Sequence, residues 1–218
     1  MTPQTATYTE LIERLTPEAT LTLHGVTWET YEELLESVGE APALRISYNE
    51  GVMQIMTVSF EHEYFAEVIE RLVDRLSMIL RIKIIFFGRA TMKRQKKLKG
   101  SEPDACFYVQ SAAVIGNRFR LNLESDPPPD IVVEIDIHHE SLSKFPIYAG
   151  LGVPEIWHYD GQKLTIHQLQ NDQYAETPIS PSLPMLTSAV LRDFLDRSQS
   201  QDQYETLLAF EDWLRAQP

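Results

Sequence analysis

One cysteine, Cys106, stands among 218 residues, so no internal disulfide can brace the fold, which suits a reducing cytosol. Lying alone in the apolar run Ala105-Cys106-Phe107-Tyr108-Val109, it reads as a small core residue rather than a nucleophile. No stretch approaches the ~18 consecutive apolar residues that cross a bilayer, so no membrane partner is expected. The opening MTPQTATYTELIER lacks a basic stretch followed by an apolar run, so it does not read as a secretory signal and a cytoplasmic setting is expected. Positive charge is scarce too: 19 Lys and Arg face 32 Asp and Glu, a formal net charge of −13. Nucleic-acid affinity rests largely on cations that displace counterions from phosphates. Any DNA contact must therefore be local, or shared with a second subunit.

What is present is ordinary for a globular chain. Hydrophobic residues make up 43% and charged residues 23%, enough for one substantial core. Thr27 can cap a helix over 28–37, with Gly39 as its stop. Residues 44–48 and 52–56 alternate at period two around Asn49-Glu50-Gly51, good hairpin-turn chemistry because asparagine and glycine tolerate positive φ. Phe65, Ile69, Leu72, Val73, Leu76, Ile79 and Leu80 then recur at helical spacing, with Ser59 placed to cap that helix and Glu61 and Glu63 near its positive end. A buried strand is predicted over 82–87.

The stretch 89–99 carries Arg89, Lys93, Arg94, Lys96, Lys97 and Lys99 and no acid. It is either a charged, exposed hairpin or a phosphate-tracking edge leading into Asp104; without interleaved aromatic residues it offers little for base stacking. Apolar strands at 105–109 and 131–137 each follow a proline–aspartate pair. A helix over 142–151 tolerates Pro146 only in its first turn. Strands at 155–159, 163–168 and 174–178 follow, the first two joined by a turn at Asp160-Gly161, and a helical tail at 188–216 breaks near 198–202. These elements predict an α/β fold: a mixed β-sheet flanked by helices, with an arm at 1–27, a main domain at 28–187 and a helical tail at 188–218.

Asp104 and Glu134 carry the chemical interest. Each lies on or beside an apolar strand, where a carboxylate is costly unless paired or metal-bound. Glu134 is flanked by Ile131, Val132, Val133, Ile135 and Ile137, so its strand reads as buried on both faces. Two carboxylates about 4 Å apart repel by about 4 kcal/mol at an effective dielectric near 20. A shared proton, a lysine or a hard divalent cation, Mg²⁺ or Mn²⁺, would offset that. Equally, Asp104 could be a turn residue and Glu134 could pair with an arginine. Lys144, beyond Glu134's strand, is either a surface lysine or a group that reaches back to orient a water or to meet developing negative charge. His62 points inward with Phe65 and Ile69, as a core histidine or a lining of the site. His138 and His139 read as loop residues.

Four segments together, Ser59-Phe60-Glu61-His62-Glu63, Glu102-Pro103-Asp104-Ala105, Pro129-Asp130-Ile131-Val132-Val133-Glu134-Ile135 and the block from Lys144 through Tyr148-Ala149 to Gly152-Val153-Pro154-Glu155-Ile156-Trp157, resemble the Uma-two family of restriction endonucleases over about residues 28–178. The resemblance implies a restriction-endonuclease-like core with a proline–aspartate, acidic-x-lysine site. Asp104 and Glu134 match its metal-binding carboxylates. Asp136 stands where the usual lysine would, and Lys144 matches the position to which that lysine has migrated. Glu140 matches an acidic position four residues before it, and His62 matches a position at the start of the long helix.

Two functions follow as expectations. One is a divalent-metal-dependent endonuclease or phosphodiesterase acting on DNA, its catalytic residues Asp104, Glu134 and Lys144, expected by fold analogy to be a homodimer. The other is a non-catalytic module binding nucleic acid or protein that retains the fold, favoured by the net charge and the displaced lysine.

Overall fold

Short polar side chains fix where the helices begin. In this computed structural model, which describes residues 3–39, 43–137 and 144–217, the hydroxyls of Thr27, Ser59 and Thr187 and the carboxylate of Asp202 each accept a backbone N–H three residues on. The elements run α1 (Pro3–Ile12), β1 (Thr20–His24), α2 (Trp28–Val38), β2 (Leu44–Asn49), β3 (Val52–Thr57), α3 (Phe60–Leu80), β4 (Ile85–Phe86), β5 (Met92–Arg94), β6 (Lys99–Ser101), β7 (Ala105–Tyr108), α4 (Ala112–Ile115), β8 (Ile131–Ile135), α5 (Phe145–Leu151), β9 (Glu155–Tyr159), β10 (Leu164–Gln170), β11 (Gln173–Thr177), α6 (Ser188–Ser200) and α7 (Gln203–Arg215).

The strands form two sheets. An antiparallel sheet of five runs β1-β3-β2-β6-β5, and a sheet of six runs β11-β10-β9-β8-β7-β4. The second is mixed, because β8 and β9 pair in parallel while its other pairs are antiparallel. A parallel neighbour requires a crossover, and α5 lies on it. Its Pro146 sits in the first turn, where the missing N–H costs nothing. Alternation along β8 sends Ile131, Val133 and Ile135 into a core with Phe65, Ile69 and Leu72 of α3 and with Phe194 and Phe210 of α6 and α7. Val132 points the other way, packing with Cys106, Ile156, Ile147 and Tyr148. All five β8 residues are therefore buried. Burial pushes the Cys106 thiol up to about 12, with the Glu70 charge adding to it, so the thiol is inert. The first sheet has its own core, where Tyr31 stacks on Tyr48 beside Trp28.

Several expectations are corrected. The strand predicted over 82–87 contracts to Ile85–Phe86 at the sheet edge, half-buried rather than buried. Residues before Trp28 contain α1 and β1, the latter paired along its length with β3. In the first hairpin the positive-φ residues are Glu50 and Gly51, not Asn49, because Asn49 still pairs with Val52. The tail does break within the predicted 198–202, at Gln201-Asp202. Lys144 directly precedes α5 rather than lying inside it, and 138–143, with His138, His139 and Glu140, lies outside the described residues.

Gly100 of β6 passes directly over the Tyr31 ring, and an added Cβ would overlap its hydroxyl and ring carbons. Gly100→Ala is expected to destabilise the protein by about 1–3 kcal/mol through overpacking, measured as a lower urea midpoint at unchanged slope.

Candidate functional site

Asp104 stands immediately before β7, and Glu134 is the fourth residue of β8. The register pairs Ala105 with Val133, and the Asp104 N–H donates to the Val133 carbonyl at 3.0 Å. Two carboxylates thus arrive at the same end of neighbouring strands, 1% and 2% exposed. Proline at 103 makes this the local outcome: the strand does not run through the proline but starts just after it, with Asp104 at its threshold.

Each carboxylate has its own set of donors. Asp104 Oδ1 accepts from Arg45 Nε at 2.8 Å, and Oδ2 from the Ile135 N–H at 2.8 Å. His62 Nε2 lies 3.3 Å from Oδ2, outside hydrogen-bond geometry, and neither ring nitrogen of this buried histidine is hydrogen-bonded among the described residues. Glu134 Oε2 accepts from Lys144 Nζ at 2.5 Å, while the Tyr148 hydroxyl donates to Oε1. Arg45 also reaches Glu63 at 2.5 Å, and Glu63 in turn pairs with Arg89. Asp104, Glu134 and Glu63 are therefore matched by Lys144, Arg45 and Arg89.

The two carboxyls are tuned in opposite directions. Burial pushes Asp104 up, but the His62 ring, Lys144 and Arg45 overcome it and hold the group well below the usual carboxylate range. Burial raises Glu134; Lys144 opposes this, whereas the charges of Asp104 and Asp136 add to it, and the net shift is upward. Burial works against the Lys144 ammonium, and Glu134 and Asp104 more than restore it.

Of the residues singled out in the sequence, Asp104, Glu134, Lys144 and His62 come together. Asp136 turns aside to His158, 3.0 Å from its Nε2. The second proline–aspartate pair is structural: the Asp130 carboxylate accepts from the N–H groups of Val109 and Ser111 at 2.7 and 2.9 Å. The basic stretch forms the β5–β6 hairpin, and four of its cations are already engaged: Arg89 by Glu63, Lys93 by Glu32, Arg94 by the Leu123 carbonyl and Lys99 by Asn49 and Glu50. Arg45 and Tyr148 escaped sequence reasoning. The sequence carried no signal for Arg45, which reads as a polar alternate; its burial among four consecutive buried β2 residues is visible only in the fold, where a buried arginine demands a carboxylate.

The donor set is compatible with a hard divalent cation. Each carboxylate oxygen has about two lone-pair sites, so Asp104 Oδ1 and both Glu134 oxygens retain acceptor capacity, and Mg²⁺ typically takes one or two carboxylates plus water and phosphate oxygens. Among the described residues no group of three or more His, Cys, Asp or Glu side chains is arranged to hold an ion. A cavity of about 20 Å³ lined by Ser59, His62, Ile135 and Asp136 is large enough for a single water next to His62.

Residues 28–200 match the model of a family, Uma2, described as "Putative restriction endonuclease". No curated protein matches. Among solved structures, a chain from Anabaena variabilis ATCC 29413, described as "a putative nuclease belonging to DUF820", superposes with a TM-score of 0.53 at 17% identity, covering 77% of this chain and 98% of that one. At that identity the likeness is one of fold. Among the described residues no helix is long and apolar enough to cross a membrane.

The opposed shifts make the two cations unequal. Arg45→Met leaves the buried Asp104 without its guanidinium and is expected to cost about 3–5 kcal/mol. Lys144→Met should cost under about 2 kcal/mol, because the raised Glu134 carboxyl can take up a proton instead. A carboxyl raised on folding binds more protons folded than unfolded, so the Lys144→Met deficit should shrink as pH falls through the raised value. Urea titrations of both variants across pH check this.

Proposed function

Because the chain belongs to the Uma2 family, we propose that it is a divalent-metal-dependent endonuclease acting on DNA, with Asp104 and Glu134 as ligands to Mg²⁺ or Mn²⁺ and Lys144 beside the reacting phosphate. The observation that carries this reading is the pair of buried carboxylates at the adjoining ends of β7 and β8 with the Lys144 ammonium 2.5 Å from one of them. A bound cation there supplies Lewis acidity and a more acidic water. The chain's own residues do the remainder. Arg45 and the Ile135 N–H orient the Asp104 carboxylate and hold it ionised. The Tyr148 hydroxyl fixes one Glu134 oxygen and leaves the other to Lys144. When substrate arrives, Lys144 can exchange that oxygen for a phosphate oxygen and meet the charge that develops on it. His62, buried with its Nε2 3.3 Å from Asp104 Oδ2, lines the same space. On fold analogy the enzyme is a cytoplasmic homodimer.

One observation favours a second reading, a module that binds without cutting. Every oxygen of Asp104 and Glu134 already has a protein donor, so the pair is stable with no ion.

Calorimetric titration separates the two. Mg²⁺ or Mn²⁺ should bind the wild type in the millimolar range or tighter, and Asp104→Ala should abolish both binding and metal-dependent DNA cleavage while the circular dichroism spectrum is retained. Absence of metal binding in the wild type, or undiminished cleavage by Asp104→Ala, excludes the enzymatic reading.

A further inference from the structure

A cleft of about 690 Å³ opens beside the carboxylate pair, within the size range of ligand sites. Its floor includes Arg45, whose guanidinium also holds Asp104, so the cleft and the pair share a wall. Three further cations line it: Arg89, Lys93 and Arg120. Its acidic lining residue, Glu102, spends its oxygens on the Ile46 N–H and the Thr91 hydroxyl. In a chain of net charge −13 this is a marked local reversal of sign.

The cations are available to different degrees. Arg120 is exposed and has no acidic partner among the described residues. Among the described residues Lys93 pairs with Glu32, both side chains 39% exposed, a pair that a phosphate can displace at little cost. Arg89 shares Glu63 with Arg45 but is itself 39% exposed.

At the rim stands Phe119, 99% exposed and directly before Arg120. A fully solvated phenyl ring beside an arginine gains nothing from the fold. Phe87 lines the same cleft, with its ring packed edge-on to Tyr108. The β5–β6 hairpin carries no aromatic residue; the fold brings rings from outside it to the same cleft as Arg89 and the hairpin's Lys93. Cations tracking a backbone together with an aromatic face are the combination that binds unpaired nucleotides. A duplex keeps its base faces stacked inside and offers such a ring nothing.

We infer that this cleft seats single-stranded DNA, one base stacked on Phe119 and the flanking phosphates against Arg89, Lys93 and Arg120, leading the strand toward Asp104 and Glu134. The inference rests on the nuclease reading for its choice of DNA. It makes a strand end, a flap or a melted segment the substrate, rather than an intact duplex.

The test is fluorescence anisotropy of the full chain with a labelled oligothymidylate, in EDTA so that metal plays no part. Wild type should bind the single strand more tightly than the matching duplex or the matching RNA. The plot of log K against log salt should have a slope of roughly −2, from three cations at about −0.7 each. Phe119→Ala should weaken binding about tenfold, and Arg120→Ala should make the salt slope shallower by about 0.7. Both positions are exposed, so circular dichroism should be unchanged. No binding by wild type, equal or tighter binding of duplex or RNA, or undiminished binding by Phe119→Ala overturns the inference. Each of these leaves the metal-site proposal standing, because that proposal is read by metal titration and cleavage.

Discussion

Asp104 and Glu134 sit inside the protein at the ends of adjoining strands, where the Asp104 charge makes Glu134 harder to ionise. Removing a charge from water costs several kcal/mol even after relaxation, and only close, well-directed partners return it. Much of the surrounding structure can be understood as providing those partners. Strand β2 contributes Arg45, the β8 backbone contributes the Ile135 N–H, and the turn into α5 contributes Lys144, with Tyr148 one turn later. The parallel β8–β9 pairing matters here because it requires the crossover on which α5 lies. An antiparallel hairpin in its place would have no room for that helix, and Glu134 would lose both donors.

The asymmetry between the two carboxyls gives the arrangement a direction. Asp104 is surrounded by fixed donors and stays ionised. Glu134 depends on a single flexible ammonium and a phenol, and burial raises it. One acid is therefore a permanent charge and the other an adjustable one. Such pairs of groups, whose surroundings drive their affinities for protons apart, are a common mark of sites that perform acid–base or metal chemistry.

Much of this was legible in the sequence because local rules governed it. Thr27 and Ser59 announced their helices as caps, and the period of 44–48 and 52–56 announced the hairpin. Asp104, Glu134 and Lys144 stood out because each broke an apolar context or completed a recognisable block. What escaped was long-range. Arg45 lies 59 positions from the carboxylate it serves, and within its own strand it passes for an ordinary polar alternate. Tyr148 looked like core because it is core; only its hydroxyl is engaged, with Glu134 and Ser101. The division into two sheets was equally hidden, because the pairing of β6 with β2, of which the Tyr48 and Gly100 partners are one step, depends on Gly100 passing over Tyr31 rather than on any pattern in 89–101.

Arg45 belongs to the five-stranded sheet, whereas Glu134 lies on β8, an interior strand of the six-stranded one, and Asp104 stands just before its neighbour β7. The acidic pair is therefore only half compensated until both sheets have docked. Contacts that span so much chain close late, since the loop entropy must be met before they return anything. A growing or refolding chain thus assembles its secondary structure first and its charge network last, which delays any reactivity of that network until the domain is whole.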